Sequence, residues 1–396
     1  MGNGNTEMRS MFSYGLLVMT VTHTLTHVFQ RIHLALFPTI RDEFSLSLQQ
    51  LGVIAAVPFL CQALLAIPMG LLSDRFGSKK MILISLSVAT VGSLVASYTI
   101  NPLMLTVAIS LIYINMTIYH PAAYSFTSRL FGPRDRSKVL GIHGAGGTLG
   151  MSIGPLSLGI LMGFFAFGWR KVYLFWFVPT ILGIISVLFI RAEPREDVHV
   201  EPSSKAESNT KEEKMFSMSF IVFLLSLAMR SMGSQMFNSF LAVFLVDVKG
   251  LGQNLVSLIL GSSLLVGPIA APIGGFLAFR FGEKRWLVTV LALAYASLGL
   301  AISLPGVAGF VIFYVIYGFF LFLGMAPNSA IIAHLSPSRR RGLGYTLYFL
   351  PGSIMGAIAP IIAAQIAGAF GLTSIFFASL AVLATGLAVL KFGVKY

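Results

Sequence analysis

Residues 22–38, THTLTHVFQRIHLALFP, place His23, His27 and Arg31 at intervals of four within a largely apolar run. On a helix that spacing makes a single stripe, with Thr20 and Gln30 beside it and His33 pointing elsewhere. Ionisable groups at bilayer depth cost about 2.5–3.5 kcal/mol each on insertion scales, so the stripe needs a partner or a task. Unperturbed histidine titrates near pH ~6.5, so His23 and His27 can carry a proton, donate a hydrogen bond to a solute, or simply pack. An i, i+4 histidine pair can also ligate zinc, but no acid or thiolate accompanies this one, and neither a metal nor any other cofactor is expected. Arg31 cannot shed its proton and must meet an anion, water or backbone carbonyls.

A second buried cation is expected at Arg230. In RSMGSQMFNSF (230–240) it shares a stripe with Ser234 and Asn238. Ala35 and Phe37 align with Ala242 and Phe244 at an offset of 207, which pairs His23 with Arg230 and Arg31 with Asn238. All 14 acidic residues lie outside the apolar runs. Guanidinium groups match carboxylate, phosphate and phosphonate through paired hydrogen bonds, so a substrate anion is the expected partner of Arg31 and Arg230. His23, His27, Gln30 and Asn238 join that candidate substrate site, as do Tyr119, His120 and Tyr345 by their positions in their spans. Each of these has packing as its alternative.

The elements that must hold these residues follow from composition. The 396 residues are 56% apolar and only 10% charged, with a mean hydropathy of +0.86, far from the roughly 25% charge of a soluble domain. Helical apolar runs recur twelve times: 12–38, 47–72, 80–98, 102–130, 138–167, 170–190, 216–246, 253–279, 286–304, 307–334, 341–370 and 373–391. The expected fold is therefore an all-α integral membrane protein with twelve transmembrane helices. The first run exceeds a signal-peptide core and reads as a retained span. Of the 27 Lys and Arg residues, 21 fall in segments on one side of this topology and four on the other, which predicts a multi-pass cell-membrane protein with both termini cytoplasmic. The net charge of +13 is then topology rather than a nucleic-acid footprint. The single cysteine, Cys61, excludes a disulfide framework. No P-loop or GxSxG elbow is present, and no enzyme is expected.

Residues 191–215 carry five basic and seven acidic residues and read as a solvated linker between halves 1–190 and 216–396. The halves repeat: GLLSDRFGSKK (70–80) aligns with GFLAFRFGEKR (275–285), and Pro121 of YHPAAY with Pro327 of MAPNSA. Two pseudo-symmetric six-helix bundles with a site near the midplane are expected.

The 70–80 segment, with Gly70, Asp74, Arg75 and Gly77, resembles the signature loop of the major facilitator superfamily. In the fifth span, GIHGAGGTLGMSIGPLSLG places Gly141, Gly150, Gly154 and Pro155 in a pattern similar to that of drug:proton antiporters, except that Leu158 replaces one closing glycine. His23 through Gln30, Pro38, Glu43-Phe44-Ser45-Leu46, Gln50, Gly52, Tyr119-His120-Pro121 and Gly146-Gly147 resemble the fosmidomycin-resistance exporters. That resemblance implies alternating access, small residues and a gating loop at these positions, and efflux of a small compound by proton exchange. The chain departs from those exporters where it carries His27 and Ala122 in place of acids, so a carboxylate proton relay is missing. Organic-anion carriers of the same superfamily place arginines on spans one and seven, as here. The reading is a monomeric secondary transporter of a small organic anion, with protons as a candidate co-substrate. A multidrug exporter for apolar or cationic compounds is the runner-up, and a transporter-like receptor or lipid-handling protein the third reading.

Overall fold

The computed structural model describes residues 13–129, 136–190, 217–336 and 341–395, without the side chains of residues 74, 128–129, 136–138 and 341–346. The first span, α1 (Tyr14–Ala35), passes through Leu36 into the short α2 (Phe37–Phe44). It is followed by α3 (Leu48–Phe76), α4 (Ser78–Ser97), α5 (Pro102–Arg129), α6 (Arg136–Gly163) and α7 (Trp169–Leu188). Beyond the linker come α8 (Met218–Asp247), α9 (Gln253–Leu265), α10 (Gly267–Phe281) and α11 (Glu283–Ser303). The chain closes with α12 (Val307–Leu323), α13 (Met325–Leu335), α14 (Arg341–Phe370) and α15 (Ser374–Ala388), which ends in a π-turn over Val389–Gly393.

All twelve expected runs are helical, but three are broken, at Leu36, Val266 and Gly324. Each break precedes a proline (Pro38, Pro268, Pro327) in the first turn of the next helix, where its missing N–H costs nothing. Among the described residues eleven stretches are long and apolar enough to cross a membrane. The first helix is not one of them, because its threonines, histidines, Gln30 and Arg31 interrupt the apolar residues. Its polar stripe is instead enclosed by neighbouring helices, with His23 and His27 both buried.

Helix boundaries follow local chemistry. Ser47 and Gln50 form a reciprocal capping box at the start of α3, each side chain bonded to the other's backbone N–H. Left-handed turns recur at an offset of 205: Ser45 (φ 51°) with Gly250 (φ 68°), Gly77 (φ 84°) with Gly282 (φ 85°), and Ala166 (φ 52°) with Gly371 (φ 86°). Lys79 Nζ donates to Ile190 O at 2.5 Å, and Lys284 Nζ, 205 positions on, donates to Val394 O at 2.5 Å. The backbone thus repeats the symmetry written in the sequence.

Packing repeats with it. In the first half α1 packs on α6, and α4 on α5 and α7; in the second α8 packs on α14, and α11 on α12 and α15. The halves meet through α6 against α9 and α3 against α14. Small residues permit both contacts. A Cβ on Gly163 would lie 3.2 Å from Asn254, and one on Gly368 would lie 2.6 Å from Gln49, the equivalent pair. Hydrogen bonds between the halves run from Arg41–Asp247 and Gln253–Ala35 at one end to Ser353–Gln62 near mid-helix. We call the first of these the Arg41 end, and the opposite one the Lys79 end.

Candidate functional site

The stripe on α1 is held by the glycines of α6. A Cβ on Gly150 would lie 2.2 Å from Thr24 O, and one on Gly154 would lie 2.1 Å from Val28 O. Only glycine lets the two backbones approach this closely, so the fifth-span signature serves the contact that positions the histidines. Gly147 stands directly behind them: its Cβ would lie 2.6 Å from His23 Cε1 and 3.1 Å from His27 Cδ2. Gly141 and Gly144 have nothing within 4 Å and carry no such duty. Pro155 lies inside α6 without interrupting it.

His23 Nδ1 donates to His143 O at 2.7 Å, and the two rings stack with centroids 4.2 Å apart. His27 Nδ1 is hydrogen-bonded to the Gln30 amide, 2.8 Å from Oε1. His120, from α5, donates through Nδ1 to Met116 O at 2.8 Å. The three Nε2 atoms then converge: His27 Nε2 lies 3.1 Å from His23 Nε2 and 3.1 Å from His120 Nε2. The sequence placed His120 in the same candidate site by its position in its span; the structure brings its Nε2 to 3.1 Å from that of His27. Tyr119 is buried behind His23, its hydroxyl 2.8 Å from Thr22 Oγ1 and donating to Met19 O at 3.0 Å, so it braces α1 against α5. His33 packs edge-on to Phe37 and Tyr113.

Arg31 is half-buried on the same helix, without a hydrogen bond or ion pair among the described residues. It lies within electrostatic reach of Tyr113 on α5 and of Tyr314 and Tyr317 on α12, so it faces both halves. Arg230 is 6% exposed and lines a cavity of about 150 Å³ with Ser234, Tyr295, Tyr317 and Asn328. Its Nη2 donates to Asn328 Oδ1 at 3.1 Å, while Nε is buried without an acceptor. Arg31 does not line this cavity, but Tyr317, which lies within its electrostatic reach, does. Asn238 turns back on its own helix, donating to Ser234 O at 2.7 Å.

Asn328, Tyr295 and Tyr317 are absent from the sequence reading. A signal for Asn328 existed: it follows Pro327, the equivalent of Pro121, and so stands on the tenth span where His120 and its neighbours stand on the fourth. Tyr345 lies on α14, but its side chain is outside the described residues, as is that of Asp74. Gly77 makes the left-handed turn between α3 and α4, Gly70 has open space around it, and exposed Arg75 lies over the ring of Phe76.

At the Arg41 end, Arg41 holds both carboxylate oxygens of Asp247 across the halves. Glu43, two residues on, turns instead to α7, accepting from Arg170 Nη2 at 2.5 Å and Trp169 Nε1 at 2.7 Å. The hydrogen bond from Arg170 holds the Glu43 carboxyl below its usual range.

The chain matches the Major Facilitator Superfamily model over residues 19–306 and 223–396. It is 25% identical to the hexuronate transporter of Bacillus subtilis (strain 168) over 90% of this chain and 88% of that protein. It is 22% identical to the fosmidomycin resistance protein of Escherichia coli (strain K12), covering 91% and 89% respectively. A solved bacterial homologue of the human lysosomal transporter Spinster, inward-facing and occupied, superposes with a TM-score of 0.80 at 19% identity over 96% of each chain. The similarity to the resistance protein is no stronger than that to the sugar-acid transporter, so the family is fixed at the level of the superfamily. Twelve helical spans repeated about a pseudo-two-fold, cations buried between them and a family match along almost the whole chain lead to one assignment: the protein belongs to the major facilitator superfamily and is a multi-pass membrane transporter, not an enzyme.

Proposed function

We propose that the protein carries a small organic anion, with a carboxylate, phosphate or phosphonate head, by alternating access of the halves 1–190 and 216–396. The observation that carries this reading is Arg230. Its guanidinium is permanently charged, and its Nε–H is buried at the wall of a cavity without an acceptor. A buried donor left unmade costs about 1–3 kcal/mol, more when charged, and an anionic oxygen in the cavity removes that cost. Arg31 adds a second cation from the other half, and the acidic residues among the described ones, Asp42, Glu43, Asp74, Asp247 and Glu283, all lie toward helix ends. The hexuronate transporter, a relative 25% identical to this chain, is named for a carboxylated sugar, the same chemical class. A site whose full charges are cationic disfavours the alternative cargo, a cationic drug.

The excess of Lys and Arg on one side supports cytoplasmic termini, which puts the Arg41 end outside. At that end the halves are held together by Arg41–Asp247 and Gln253–Ala35.

Counterflow of radiolabelled hexuronate and of a phosphonate in proteoliposomes tests the reading. Loss of one charge-assisted bond in Arg230→Gln is expected to weaken anion binding by about 10- to 100-fold, with Arg230→Lys intermediate. Anion flux unchanged in Arg230→Gln and Arg31→Gln, or flux of cationic dyes alone, sinks it.

A further inference from the structure

We propose that His23, His27 and His120 form a binding site for a divalent transition-metal ion of the zinc type. The inference starts from which nitrogen of each ring carries the proton. Carbonyl oxygens only accept, so the bonds to His143 O and Met116 O place a proton on Nδ1 of His23 and of His120. Gln30 Oε1 lies 2.8 Å from Nδ1 of His27, and the Gln30 amide can accept from or donate to that nitrogen. The Nε2 atoms of His23 and His120 are then lone-pair acceptors, and both stand 3.1 Å from His27 Nε2. Three imidazole nitrogens gathered in this way make a donor set that a single cation can share. Around tetrahedral zinc, with Zn–N near 2.0–2.1 Å, neighbouring ligand nitrogens stand roughly 3.3 Å apart, close to the two 3.1 Å distances from His27 Nε2. The three ligand atoms all lie within 4.8 Å of one another.

The surroundings match a ligand shell rather than an accident of packing. Metal-bound histidines characteristically donate their other N–H to a carbonyl or carboxylate, which fixes the ring; His23 and His120 do so here, and Gln30 holds the Nδ1 of His27. Stacking on His143 and the space left by Gly147 hold His23 in place from behind. An all-imidazole set selects borderline ions such as Zn²⁺, Co²⁺ or Ni²⁺ over Ca²⁺ and Mg²⁺, which require oxygen ligands. No carboxylate from the described spans neutralises the ion, so its remaining position goes to water or to an anion. This inference is independent of the proposed cargo, because occupancy is read without transport.

The test uses the full chain purified in detergent without a polyhistidine tag and stripped with a chelator. Zn²⁺ is titrated calorimetrically and Co²⁺ by its visible absorption. One equivalent is expected to bind, with the strong visible bands of low-coordinate cobalt and a raised melting temperature. His27→Gln and His120→Gln, on separate helices, should each weaken binding at least about 100-fold and abolish the zinc-dependent rise in melting temperature. Their melting temperatures without metal report that they are folded. His334→Gln, exposed at the end of α13, should bind as the parent does. Absence of stoichiometric binding to the parent, or binding that survives both ligand variants, overturns the proposal.

Discussion

Arg41 and Asp247 stand 206 positions apart, at matching ends of the two halves, and one grips the other with both guanidinium nitrogens. The pseudo-two-fold therefore brings equivalent positions face to face, with opposite charges where the repeat has diverged. Because the pair spans two bodies that must separate when this end opens, its free energy is counted only in the closed state. The pair is partly exposed, with side-chain exposures of 20% and 32%, so a contribution of about 0.5–1 kcal/mol is appropriate. Asp247→Asn should raise the open population two- to five-fold, on the order of what RT ln of that ratio allows. An impermeant maleimide and a cysteine at Leu251, in a Cys61→Ser background, reads this as faster labelling. The exchanged pair, Arg41→Asp with Asp247→Arg, should restore the slow rate; labelling unchanged in Asp247→Asn removes the latch role.

The glycines of α6 divide into those that touch α1 and those that do not. Gly154→Ala forces a methyl against Val28 O and should destabilise by about 1–3 kcal/mol through overpacking. Gly144→Ala meets open space and should be neutral or gain up to about 1 kcal/mol in helix propensity. Thermal unfolding in detergent separates them. Equal melting temperatures would mean that α1 can back away from α6 without cost.

These positions also show what the chain discloses before folding. Apolar runs and the repeat offset are local or periodic properties, and the helices and their order were legible from them. The pair His23–His27 was legible because i, i+4 spacing is itself geometry. His120 was legible as a candidate for the same site, but its direct contact with His27 was not, since it arises only through the packing of α5 against α1, 93 positions away. Arg31 and Arg230 were both visible as cations out of place, but their relation was not. Arg230's cavity is walled by residues of the second half, among them Tyr317, an aromatic indistinguishable in sequence from packing residues that lies within electrostatic reach of Arg31.

Asn328 offers a sharper probe of the anion site than removal of Arg230. Its Oδ1 already accepts from Arg230 at 3.1 Å, so Asn328→Asp supplies an internal carboxylate with almost no change in volume. A resident counter-ion competes with an anionic solute for the same donors. Substrate affinity should fall by about 10- to 100-fold, a charge-assisted bond's worth, while stability holds or rises. Asn328→Ala, which frees the guanidinium, should not produce the same loss. Binding by isothermal titration and unfolding temperature together read the result, and tighter anion binding in Asn328→Asp would contradict an Arg230 subsite.

Glu43 should answer to pH where Asp247 answers to conformation, because its partners Arg170 and Trp169 lie in its own half. The Arg170 bond depresses the Glu43 carboxyl, so folding binds fewer protons than unfolding through the acidic range. The stabilisation is therefore complete above the ordinary carboxyl value of about pH 4.3 and fades as pH falls below it toward the folded value. With the pair about one-third exposed, solvent screening limits the effect to roughly 0.2–1 kcal/mol. Glu43→Gln should lower the melting temperature by a few degrees or less at pH 7, and the gap from the parent should narrow steadily below pH ~4. Maleimide labelling at the Arg41 end should be the same in parent and variant, since no contact across the halves is lost. A gap that persists at acid pH assigns the contribution to packing against Trp169 rather than to charge.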